Sequence, residues 1–228
     1  SVLSIKNITK IIMVKNSSSS NNNLIVKNTA FLYFRMLFSM GITLYTSRLI
    51  LTILGIDDFG IYNVIGGMVS MFLFLNTAMS SATSRFLTFE IGKREKSEIS
   101  KVFSVSLTTH LIIIAIIFVL CESIGVWFLN SKMIIPEDRV YAANIVLQTS
   151  IAASLINIIQ VPYRAIVVSY EKMDMYAYIE IFNVVSKLLI AIALIYTTYD
   201  KLITYSYLYL VTCVVVFLIY AVYALSLI

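Results

Sequence analysis

NTAFLYFRMLFSMGITLYTSRLILTIL (28–54), GIDDFG (55–60) and IYNVIGGMVSMFLFLNTAMSSATSRFLTFEIG (61–92) form two long apolar runs around one short acidic turn. Each run exceeds the roughly 20 apolar residues that a helix rising about 1.5 Å per residue needs to cross a bilayer. Each also carries groups that an anchor does not need: Arg35, Arg48 and Arg85, with a dense series of Ser, Thr and Asn. A guanidinium near mid-membrane costs at least about 2.5 kcal/mol. The two runs therefore predict membrane helices whose polar residues serve more than anchoring.

Composition extends that reading to the whole chain. Of 228 residues 60% are hydrophobic and 13% charged, and the mean hydropathy is +0.91. Soluble domains carry about 25% charged residues. Only 7 glycines and 2 prolines interrupt the chain, so the spans are expected to be helical rather than the short alternating segments of a β-barrel. The fold class predicted is an all-α, six-span integral membrane bundle. The net charge of +5 is spread between apolar runs, which suits a positive-inside bias and not nucleic-acid binding. Cys121 and Cys213 lie in apolar runs without C-x-x-C spacing and read as packing residues. No metal-ligand spacing and no cofactor motif occurs, and none is expected.

Residues 1–23 read as a polar cytoplasmic head ending in the low-complexity tract NSSSSNNN, expected to be disordered. The patch Ile11–Val14 is too short for a signal-peptide core. From 24 to 228 six spans are predicted: 26–54, 60–90, 101–129, 139–170, 174–197 and 202–226. Gly55 is placed to stop the first helix, and Asp57 or Asp58 to cap the second. Pro162 predicts a kink or break in the fourth span. Lys6, Lys10, Lys15, Lys27, Lys93, Arg94, Lys96, Lys101, Arg164 and Lys172 fall on one side of this topology. That side, which includes the amino terminus, is expected to be cytoplasmic. Tyr196, Tyr199, Tyr205, Tyr207 and Tyr209 read as an aromatic belt around the last turn.

Helical periodicity arranges the intramembrane polar residues into stripes. Asn28, Arg35, Ser39 and Thr46 share one face of the first span, with Arg48 pointing nearly the opposite way. Asn76, Ser80, Thr83 and Glu90 align in the second, and Ser150, Ser154, Asn157 and Arg164 in the fourth. The sharpest stripe is Tyr176, Glu180, Asn183 and Lys187 in the fifth. Small hydroxylated residues at such positions also glue helices together without any ligand. Lys27, Arg35 and Arg85 have the further option of snorkelling to headgroups. Taken together, the stripes predict a hydrated cavity with more cations than acids. Such a cavity suits an anionic substrate, since arginine pairs bidentately with phosphate.

The run from Asn28 to Lys93, with Leu54, Gly55, Gly60 and Tyr62 at its turn, the ending SSATSRFLTFEIGK and the later NIIQVPYRAIVVSYEKM, resembles bacterial polysaccharide flippases. These O-antigen and capsule repeat-unit transporters belong to the superfamily of the multidrug (MATE) exporters and the lipid II flippase. The resemblance implies two six-helix bundles facing a central cavity, of which this chain matches the amino-terminal one and would need its carboxy-terminal companion as a partner. It implies a multi-pass protein of the bacterial inner membrane and a substrate of oligosaccharide linked to undecaprenyl pyrophosphate. Arg35, Arg48, Arg85 and Lys187 become the candidates for binding the pyrophosphate. Asn76, Thr83, Asn157 and Asn183 become candidates for lining the cavity, and Glu180 for ion coupling. A cation-coupled multidrug exporter of the same superfamily is the alternative, but its cavity should be acidic. An enzymatic role is not expected, because the outer loops are short and His110 stands alone in its span.

Overall fold

The computed structural model describes the backbone of residues 2–71, 74–93 and 96–227, and the side chains of Thr29 and of residues 33–71, 79–93 and 98–227. Among these residues there is helix and no strand. The elements are α1 (Val2–Met71), α2 (Phe74–Lys93), α3 (Lys96–Leu120), a π-helical turn (Cys121–Gly125), α4 (Val126–Ser131), α5 (Val140–Ser169), α6 (Met173–Ala193) and α7 (Lys201–Leu225). Single 3-10 turns, Glu137–Arg139 and Leu194–Tyr196, precede α5 and follow α6. The chain divides into two compact units, Ser1–Gly41 and Ile42–Ile228. The first is the beginning of α1; the second holds every other element.

Among the described residues five helices are long and apolar enough to cross a membrane: Tyr33–Met71, Glu98–Ser131, Glu137–Ser169, Met173–Tyr196 and Lys201–Leu225. The protein is thus a multi-pass, all-α membrane protein. Six spans were expected, and the count differs because the apolar path through Met71 contains one broken helix. The break is at Gly55, whose φ of 82° and ψ of 175° lie outside helical space. Only glycine adopts that positive φ without strain, and it is the residue expected to stop the first span. The two arms meet different partners. Ile50 packs with Ile190, Ala191 and Leu194, whereas Ile61, Ile65 and Val69 pack with Ile117, Cys121, Ala143 and Leu147.

α5 is the most buried candidate span and forms the axis of the bundle. Its small residues Ala142, Ala143 and Ala153 are buried beside Val146, Leu147 and Ile151, as close helix packing in a bilayer requires. The break anticipated at Pro162 does not occur: α5 runs through it to Ser169. Proline removes one helical hydrogen bond and crowds the preceding turn. Here buried packing of Val161, Pro162, Ala165 and Ile166 holds the helix together on both sides of that defect. The chain leaves α5 through Glu171, at φ 56°. It turns from α6 into α7 at Asp200, whose Oδ1 accepts from the amides of Leu202 and Ile203 at 3.0 and 3.1 Å. That carboxylate caps the orphan amides of α7.

The π-helical turn was not anticipated. It widens the third span at Cys121–Gly125, and Gly125 explains its close packing. A methyl placed there would lie 3.2 Å from Met68 Cε and 3.4 Å from Leu147 Cδ1.

Candidate functional site

The polar stripe of α6 is where the predicted residues converge. Two of its members are directed at α7, and each meets a tyrosine. The Tyr220 hydroxyl donates to Glu180 Oε1 at 3.3 Å, and Lys187 Nζ lies over the Tyr209 ring, 5.1 Å from its centroid. Tyr176 packs against the same buried cluster as Tyr220. Glu180 and Lys187, two turns apart, form no ion pair with one another or with any other described residue. Phenols therefore take the place that opposite charges would have filled.

Around Lys187 a cavity of about 170 Å³ opens, lined among others by Thr46, Ser47, Tyr62, Tyr205 and Tyr209. Among the described residues no carboxylate contributes to its lining. Tyr62 and Tyr205 meet edge to face with centroids 4.9 Å apart, and Tyr205 and Tyr209 stack at 6.5 Å. Such offset contacts make a rigid wall. Asn157 of α5 is half-buried. Asn183 is half-buried one turn before Lys187.

The remaining candidates lie elsewhere. Arg48 and Arg85 are exposed on α1 and α2, and neither forms an ion pair with a described residue. Arg35 is half-buried and belongs to the first compact unit. Thr83 is buried on α2, 3.0 Å from the Ser106 hydroxyl of α3, and borders an apolar cavity of about 350 Å³ with Met79, Phe86 and Val105. The Asn76 side chain lies outside the described residues. His110 is fully buried, with Nδ1 2.8 Å from the Ser106 carbonyl.

No family model, curated protein or solved structure matches the chain. The site is therefore read from its own geometry.

Two features escaped the sequence reading. Tyr205 was assigned to the aromatic belt with its neighbours, and the structure corrects this. Tyr196, Tyr199 and Tyr207 are 83%, 81% and 50% exposed, whereas Tyr205 is 4% exposed and lines the cavity. Tyr205 and Tyr209 lie a helical turn apart on one face, and Tyr207 between them does not; the 3.6-residue period carried that signal. The second is an ionic cluster. Arg139 Nη2 lies 3.0 Å from Asp58 Oδ2, and its Nη1 binds Asp200. The predicted topology already put the three turns that carry these residues on one side of the membrane. The acidic turn had no cation of its own, which was the available clue.

Proposed function

We propose that this chain is the amino-terminal bundle of a transporter that moves oligosaccharide linked to undecaprenyl pyrophosphate across the bacterial inner membrane, with its amino terminus in the cytoplasm. The observation that carries this reading is the exposure of Arg48 and Arg85 on a predominantly apolar protein without a carboxylate partner among the described residues. An exposed guanidinium on a membrane helix is stable only beside water, headgroups or an anion. A companion bundle facing these arginines would enclose them in a hydrated, anion-selective path. Rocking of the two bundles would alternate access while the lipid tail stays in the bilayer. Glu180, held by the Tyr220 hydroxyl, supports a coupling carboxylate better than a substrate ligand. No described feature favours a cation-selective exporter, since the Lys187 cavity has no acidic lining.

The test is complementation in a strain deleted for the gene that encodes this chain, with surface polysaccharide measured by immunoblot. Arg48→Ala should lower export about tenfold, the worth of one charge-assisted hydrogen bond to phosphate. Unchanged export in both Arg48→Ala and Arg85→Ala, with normal protein levels, would overturn the reading.

A further inference from the structure

The cavity beside Lys187 has a feature that the transport reading does not require. Thr46 is 6% exposed, and its hydroxyl has no hydrogen-bond partner. Threonines in membrane helices ordinarily donate to the carbonyl four residues earlier. Thr52, Thr108, Thr109, Thr204 and Thr212 all do so here. Thr46 forgoes that bond and lines the cavity. A buried hydroxyl without a partner costs about 1–3 kcal/mol, so the position is strained unless something accepts its proton.

Charge and size narrow what that acceptor is. Among the described residues one ammonium lines the cavity and no carboxylate does, so a cation is repelled and a single negative charge is matched. A dianion such as phosphate would leave one charge uncompensated in a low-dielectric site. Tyr62 and Tyr205, packed edge to face, close one side of the cavity. Lys187 and Thr46 offer donors around a space of about 170 Å³, far too small for an oligosaccharide. We infer that this cavity is a binding site for a small monovalent inorganic anion of the size of chloride, held by the Lys187 ammonium and the Thr46 hydroxyl. The inference stands independently of the proposed substrate, because it rests on the cavity and not on the exposed arginines.

Chloride-35 NMR tests it directly, using the full chain purified in detergent with gluconate as the only other anion. Bound chloride broadens the bulk resonance. The wild type should show broadening that saturates with chloride and is displaced by bromide. Lys187→Met should abolish the saturable component, and Thr46→Val should weaken binding about tenfold, as loss of one hydrogen bond to a charged group does. Circular dichroism and thermal unfolding confirm that both variants are folded; Thr46→Val, which removes no charge, tests the site even if Lys187→Met is impaired. Absence of saturable broadening in the wild type, or equal broadening in folded Lys187→Met, overturns the site. So does displacement of chloride by inorganic pyrophosphate more tightly than by bromide in the wild type but not in Lys187→Met, which would make Lys187 a diphosphate ligand. Loss of export in Arg48→Ala with chloride binding intact, or the reverse, separates this inference from the transport reading.

Discussion

Arg139 and Lys187 are both cations in a chain that is 13% charged, yet they are treated in opposite ways. Arg139 joins Asp58 of the α1 turn to Asp200 at the start of α7. Lys187 has a phenol ring beneath it and hydroxyls around it, with no acid lining its cavity. At Arg139, opposite charges meet and tie three turns of the bundle together. At Lys187, the protein supplies donors and leaves the acceptor out. A cation placed with its counter-charge is a brace, and one placed among donors alone is a receptor.

The largest effect that could break this distinction is the loss of the brace. Arg139→Ala leaves Asp58, 6% exposed, without its only described ion-pair partner. Removing one member of a buried pair costs about 3–5 kcal/mol. The Arg139 side chain is itself 33% exposed, which places the expected loss at the low end, about 3 kcal/mol. Urea unfolding of the detergent-solubilised protein, followed by circular dichroism, should show it. A loss below about 1 kcal/mol, the worth of an ordinary surface pair, would make Arg139 no brace at all.

Asp200 sharpens the comparison, because it caps α7 through Oδ1 and binds Arg139 through Oδ2. Asparagine caps nearly as well as aspartate but brings no charge. Asp200→Asn should therefore lose only the ion pair, while Asp200→Ala loses about 1 kcal/mol more with the cap. Equal unfolding midpoints for the two variants would mean that the capping geometry contributes nothing.

The brace and the cavity differed in how visible they were beforehand. Helix position was legible, and helix number nearly so, because apolar run length and the turn residues Gly55 and Asp200 are local signals. α5, α6 and α7 fall within a few residues of their expected bounds. The α6 stripe was legible too, since its period is a property of one helix. What faces that stripe was not. Tyr209 and Tyr220 belong to α7, and nothing in either segment alone says which residues of two antiparallel helices share a level. Pro162 failed as a break signal for the same kind of reason. Its cost is local, whereas the packing that overrides it comes from residues far away in sequence. The Cys121–Gly125 π turn had no recognisable pattern beforehand, and the close approach of Met68 and Leu147 to Gly125 is something that only the fold brings about.

The smallest expected effect carries the contrast furthest. If Lys187 is a receptor cation, Lys187→Met should change stability by less than about 1 kcal/mol, because what it loses is one cation–π contact. What it gains is relief from holding an ammonium in an apolar bundle without a counter-charge, and methionine fills much of the same volume. Replacing buried charge by an apolar side chain of similar shape is commonly neutral or stabilising. A brace would answer differently: Lys187→Met would then cost as much as Arg139→Ala in the same urea experiment. Measured in gluconate, with no small anion to bind, the difference between the two variants should be at its widest. Chloride should then narrow it, by raising the stability of Arg139→Ala, which still has Lys187, and not that of Lys187→Met.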